Sequence, residues 1–402
     1  MASKSRAAVP WVWLGVAGLG VAARLWLWWT TFGSNDSAIW GLHGQHVLAL
    51  GLRGAYETYV DFNHPPLMGL YSGVAWAKGA GQPLAFARLI KLPGLVGEAL
   101  SLWGLWRFAS PRAAAAYALV PVSILVSGFH GSTDCLYAAF IFLAAVAFDR
   151  ERYFLSGLLW SAALNVKVLP IVLVPIVLLA PRDRRSFLRL VAGGALGLLP
   201  FVPPLLVAAG SMYRNMLVYN SQPNDWGVLA FLNAVDREPR IRALFSALRT
   251  DFIERGRYLM LASITGVALL SRFRLKLSMT EQTALGAALF FVFAPGFGVQ
   301  YLVLLAPVLC FVELRAGLWW GWLTGVFAAL LYGIFLRPDF RPPFAEFGPY
   351  PQPAVLVGVL AWAYLLQFVW ARLRDAWVRT QPVLRMPAAM PLSVSNNGRP
   401  TS

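Results

Sequence analysis

Apolar runs of membrane-spanning character recur along nearly the whole chain, separated by short polar stretches. They occupy residues 9–31, 87–106, 112–129, 133–149, 153–168, 168–181, 187–209, 258–272, 281–295, 299–314, 317–335 and 353–371. A crossing helix needs about 20 mainly apolar residues, and several of these runs are shorter, as in tightly packed bundles and broken helices. The pattern predicts an all-α polytopic membrane protein with about 12 transmembrane helices. One further run, 65–80, is ambiguous by pattern alone.

Charge settles that run. If 65–80 does not cross, Arg107 and Arg112, Arg150 and Arg152, Arg182 to Arg185, Arg272 to Lys276, Arg315, and Arg372 to Arg379 share the side of the basic N-terminus. If it crosses, every later basic cluster moves outside, against the retention of Lys and Arg in the cytoplasm. The expectation is therefore twelve crossings with both termini cytoplasmic, and an interfacial or re-entrant helix after His64. The Arg-rich 210–257 loop, which also carries Asp and Glu, is the exception, as longer loops are known to be.

This divides the chain into a catalytic membrane module, 1–210, whose first outer loop is 32–86, an outer loop, 211–257, and C-terminal membrane helices, 258–385. The tail 386–402, rich in Pro, Ser, Asn and Gly, reads as disordered. The first apolar run is too long for a signal-peptide core and is read as a retained span.

Composition agrees. The 402 residues are 58% hydrophobic and 13% charged, and mean hydropathy is +0.60, values outside the range of soluble domains. The formal charge of +16 is spread between apolar runs rather than along one face, which excludes a nucleic-acid surface. Two cysteines, Cys135 and Cys310, form no disulfide framework or zinc pattern. Basic residues that are mostly Arg, beside abundant Ala and Gly, suggest a bacterial inner-membrane protein.

Acidic groups are rare in such a chain, because a carboxylate near hydrocarbon costs several kcal/mol unless it is solvated or paired. The break after the first run, Gly33-Ser34-Asn35-Asp36-Ser37 through His64-Pro65-Pro66-Leu67, holds three of the four histidines, two aspartates and one glutamate. Asp36 reads either as the N-cap of an amphipathic helix over 38–52 or as a functional carboxylate at the lip of the first span. His43, His46 and His64 match no compact zinc spacing, so no metal site is expected. His130 and Asp134 join Asp36 on the outer side by charge parity; Asp134 reads as a cap or as a second site carboxylate. Lys167 interrupts an apolar stretch before Pro170 and Pro175, where a broken helix with a lone cation reads either as a snorkelling side chain or as the binder of an anion. Gln300 and Tyr301 open a later run with two hydrogen-bonding groups. Among the 17 tryptophans, mostly an interfacial belt, Trp226 reads either as loop packing or as a platform for a sugar ring.

Four of these segments, in this order, resemble the GT-C class of membrane glycosyltransferases, which use polyprenyl-phosphate sugars. Asp36 followed by His64-Pro65-Pro66-Leu67 is similar to the acidic residue and aromatic-rich end of that class's first loop. Gly131-Ser132-Thr133-Asp134 is similar to its second-loop acidic motif, and Asn165-Val166-Lys167-Val168-Leu169-Pro170 to its Lys-x-x-Pro segment. Pro295-Gly296-Phe297-Gly298-Val299-Gln300-Tyr301-Leu302 resembles a late element of dolichyl-phosphate glucosyl- and mannosyltransferases and their bacterial relatives. A single acidic residue stands in Asn35-Asp36, where some members carry a pair, so no metal or other cofactor is expected.

The resemblance implies inverting transfer of a hexose-type sugar from a polyprenyl-phosphate donor to a glycan, lipid or protein hydroxyl at the extracytoplasmic face. Asp36 would be the general base. Lys167, with Arg88 or Arg214, would hold the phosphate, with Gln300 and Tyr301 as neutral donors. His43, His64 and Asp134 would orient Asp36 or the sugar. A transporter or lipid-linked sugar flippase shares the even span count and broken helices, but no repeat relates the halves. A scaffold subunit is the third reading.

Overall fold

The computed structural model describes residues 11–79, 82–218, 223–235, 242–335 and 350–381. Among these residues the regular structure is helical throughout, with no strand. Each expected apolar run is helical over most of its described residues. In chain order the segments are Trp11–Thr30, Pro83–Phe108, Pro111–Ala118 with Pro121–Ile124 and the wider turns to His130, Asp134–Asp149, Tyr153–Val166, Leu169–Leu179, and Arg184–Gly197 continued by Leu199–Leu217. Arg242–Leu270, Met279–Phe293, Val299–Val312, Leu314–Phe335 and Gln352–Thr380 complete the set. The tail 386–402 lies outside the described residues.

Length separates these segments into two kinds. Among the described residues, four helices are long and apolar enough to cross a bilayer, and up to six if each bent pair counts as one span. The bends fall at prolines. Pro121 begins the second half of one pair, which turns through 62°, and Pro200, Pro203 and Pro204 follow the 41° break of the other. A proline inside a helix removes one hydrogen bond and crowds the preceding turn. The break expected near Lys167 is also present: the helix Tyr153–Val166 ends with Lys167 in extended backbone, and Leu169–Leu173 is a tight 3₁₀ turn.

The 211–257 segment departs from the expected loop. Its described parts hold the helix Gly227–Val235, and Arg242–Leu270 begins well before residue 258. Hydropathy missed this stretch because it is charged; Asp251 and Arg255 pair along one helix face at 2.8 Å.

Close helix packing uses small residues, as membrane bundles do. A Cβ at Gly157 would lie 2.0 Å from Leu190 O, and one at Gly193 would lie 1.9 Å from Phe154 O. Inside the bundle, Arg24 of the first helix meets Glu98 at 3.0 Å with both side chains almost fully buried. Tyr117 and Ser123 donate to Glu98 at 2.9 and 2.7 Å, and Arg24 donates to the backbone oxygens of Gly20 and Ala118. Each charge is thereby paired and hydrogen-bonded, the condition for burying it.

The first loop holds two helices, and the first of them carries Asp36. Asn35–Thr58 keeps helical hydrogen bonding across a break in its dihedrals at Gly51, φ 68°. Pro66–Lys78, at 13 residues, spans only about 20 Å at 1.5 Å per residue, too short to cross. The two pack so closely that a Cβ at Gly44 would lie 2.5 Å from Ser72 O.

Candidate active site

Ser34, not Asp36, caps the helix that follows. Ser34 has extended backbone and its Oγ accepts the Asp36 backbone N–H at 3.3 Å, so the Asp36 side chain is released from the capping role. It stands in the first turn, where the helix dipole favours a negative charge, and remains 24% exposed.

Two side chains from distant segments donate to one carboxylate oxygen. Asp36 Oδ2 lies 2.9 Å from His130 Nε2 and 3.0 Å from Gln300 Nε2. His130 reaches it because Leu125–His130 forms a widened turn that ends at Gly131, φ 87°. A Cβ at Gly131 would stand 1.9 Å from Ser37 Oγ, so both backbone sign and space demand glycine there. The return of the chain lets Ser34 N and Oγ donate to His130 O at 3.1 and 2.7 Å.

The second charged pair lies beside the first. Lys167 Nζ is 2.8 Å from Asp134 Oδ1 and 4.1 Å from the centre of the Tyr301 ring. Asp134 is fully buried and Lys167 is 16% exposed, so the expected lone cation is a paired one. Burial pushes the Asp36 carboxyl upward, but the hydrogen bond and electrostatic pull of His130, followed by the Lys167 charge, outweigh it and hold it below its ordinary value.

His43 and His64 do not orient Asp36 by hydrogen bonds. They belong to an aromatic layer: Trp40 stacks on His64 at 3.8 Å, and His43 sits edge-on to His64 and Phe62 at 5.0 and 5.2 Å. Burial drives His43 down to about 4 and, with the Lys167 charge, drives His64 well below its usual value. Both rings are therefore neutral at pH 7 and pack as aromatics. His46 lies flat on Tyr59. Among the described residues, no three His, Cys, Asp or Glu groups are arranged to hold a metal ion.

Three expected contributors lie elsewhere. Trp226 offers no face to a sugar: it is buried against Phe297, Trp320 and Phe327, and its Nε1 donates to Phe291 O at 2.9 Å. This burial is what the loop-packing reading expects. Arg214 is exposed and donates to Ser211 on its own segment. Arg88 covers the Trp29 ring at 3.7 Å and donates to Trp29 O, closing the end of the first helix rather than facing an anion.

Sequence reasoning missed Ser34 as the support of His130, and Tyr332, whose ring centre lies 5.4 Å from that of His130. Glu98 carried a readable signal, a carboxylate within an apolar run. Tyr332 carried none.

No family model matches the chain, and no curated protein matches it. Among solved structures it is similar to ArnT from Cupriavidus metallidurans in the apo state, with 18% identity over 91% of this chain and 74% of that one, TM-score 0.47. It is also similar to the same protein bound to undecaprenyl phosphate, with 20% identity over 93% of this chain and 74% of that one, TM-score 0.49.

Proposed function

We propose that this chain is an inverting glycosyltransferase. In this reading it moves a hexose-type sugar from a polyprenyl-phosphate donor to an acceptor hydroxyl at the extracytoplasmic face of a twelve-crossing fold. The observation that carries the reading is Asp36: a partly exposed carboxylate, held ionised and oriented by His130 and Gln300, beside a Lys167–Asp134 pair. The exposed edge leaves the carboxylate open to an acceptor hydroxyl, as a general base requires.

Asp36 takes the proton of the acceptor hydroxyl as its oxygen attacks the anomeric carbon, and the bond from that carbon to the phosphate oxygen breaks. Such a base contributes roughly two to four orders of magnitude in rate. Lys167, with Tyr301 against it, faces the charge that develops on the leaving phosphate. Gln300 serves the base and not the phosphate, a change from the role first expected of it.

Purified protein incubated with radiolabelled polyprenyl-phosphate hexose and a panel of glycan, lipid and peptide acceptors tests this. Transfer of label, abolished in Asp36→Asn, is the expected result. Movement of the intact lipid between leaflets without transfer would overturn it in favour of a flippase.

A further inference from the structure

Asp36, His130 and Ser34 form a hydrogen-bonded chain whose donors can be assigned from heavy-atom geometry. Ser34 Oγ has one proton, and its shortest acceptor is His130 O at 2.7 Å. That contact is the shorter of the two the hydroxyl makes, which directs its proton to His130 O and leaves Nδ1 as the donor of the 3.1 Å contact with Ser34 Oγ. At the other edge of the ring, Nε2 stands 2.9 Å from an Asp36 oxygen that already accepts from Gln300. A neutral imidazole has one N–H, and Nδ1 holds it, so the proton between Nε2 and Asp36 is an additional one. A carboxyl ordinarily releases its proton about two to three pH units below imidazole, and 2.9 Å suits an N⁺–H···O⁻ bond.

We propose that His130 rests in this site as an imidazolium, with Ser34 fixing one nitrogen and Asp36 the other, and that it is the positioning residue of the base. The proposal rests on the glycosyltransferase reading for its role, though not for its charge. Its two donors tie the ring at both edges to one loop, about 94 residues away in sequence. Both recorded hydrogen bonds on the carboxylate fall on Oδ2, which assigns Oδ1 to the acceptor hydroxyl. During transfer the hydroxyl proton passes to Oδ1, the new oxygen–carbon bond forms, and the phosphate leaves with the electron pair of the broken bond. His130 keeps its proton throughout. Tyr332 flanks the ring at 5.4 Å, the Lys167 charge acts on the same carboxylate, and His43 lies near it as a neutral ring.

The chain has four histidines, so ¹⁵N imidazole spectra of the full-length protein in lipid nanodiscs are simple enough to read. At pH 7 one histidine should show both ring nitrogens protonated, and that signal should vanish in His130→Gln. In Asp36→Asn it should revert to a neutral ring, and in Ser34→Ala a neutral fraction should appear. His130→Gln keeps an amide donor near Oδ2 without the charge. It should lower kcat for transfer at least tenfold with little change in KM for the donor. A neutral His130 in the wild-type protein overturns the proposal even if transfer proceeds. A charged His130 in a protein that transfers no sugar leaves the proton assignment standing and removes the glycosyltransferase reading instead. Unaltered kcat in His130→Gln refutes the positioning role.

Discussion

Lys167 and Asp134 form an ion pair of 2.8 Å in which the carboxylate is wholly buried and the ammonium nearly so. Removing one partner strands the other, which costs about 3–5 kcal/mol for a buried pair. Lys167→Ala should therefore lower thermal stability markedly as well as donor use. The double variant Lys167→Met with Asp134→Asn should recover most of the stability and none of the donor affinity. Thermal unfolding in detergent, alongside donor titration, checks both. Donor binding at the wild-type level in the double variant would remove Lys167 from the phosphate site.

Asp36→Asn separates chemistry from architecture. Ser34 carries the cap, so the substitution leaves the helix start intact, and stability should change by well under the ~1 kcal/mol of a lost cap. Single-turnover transfer should slow at least about a hundredfold while donor binding persists. Asp36→Glu should recover little, since a methylene displaces the carboxylate from its hydrogen bonds. Near wild-type turnover in Asp36→Asn would sink the assignment.

Arg24 and Glu98 make a complementary case with no role in transfer. Arg24→Met leaves a buried carboxylate with its tyrosine and serine donors but no counter-charge. A loss of about 3–5 kcal/mol is expected from denaturant titration. The paired variant Arg24→Met with Glu98→Gln should lose much less. Equal losses in the two would show that the ion pair contributes nothing beyond its separate hydrogen bonds.

The neutral histidine layer predicts an acid-labile first loop. His43 takes up a proton at about 4 in the folded state and at its ordinary value of 6.5 when unfolded. Between those values the unfolded chain binds more protons, so its contribution is complete above pH 6.5 and declines as pH falls toward 4. The total is about 3 kcal/mol at 1.36 kcal/mol per unit. His64, shifted in the same direction, steepens the fall. His43→Phe keeps a ring in the layer and should flatten the dependence of Tm on pH over this interval. An unchanged slope would place the acid sensitivity elsewhere.

Reporter fusions after Pro181 and after Val218 bracket the bent helices Arg184–Gly197 and Leu199–Leu217. Opposite sides are expected, with the Pro181 fusion cytoplasmic. Reports from one side would reduce this pair to a re-entrant element and break the twelve-crossing arrangement.

The sequence by itself determined where helices form, because burying backbone in lipid allows little else and apolar runs mark those segments one by one. It also marked Asp36, His130, Lys167 and Gln300, since polar groups are conspicuous against such a background. Helix Arg242–Leu270 was only half legible, as its charged half carries no hydropathy signal. Pairing was not legible at all. His130 meets Asp36 across 94 positions and Gln300 across 264, and local pattern holds no information on contacts that loop reversal creates. The same holds for Lys167, a lone cation in the chain and half of an ion pair in the fold, and for Trp226, whose apolar ring suits a sugar platform or a core equally until its neighbours are known. Tertiary structure decided these roles because hydrogen bonds and charge pairs depend on distances of about 3 Å, which only the packed bundle sets.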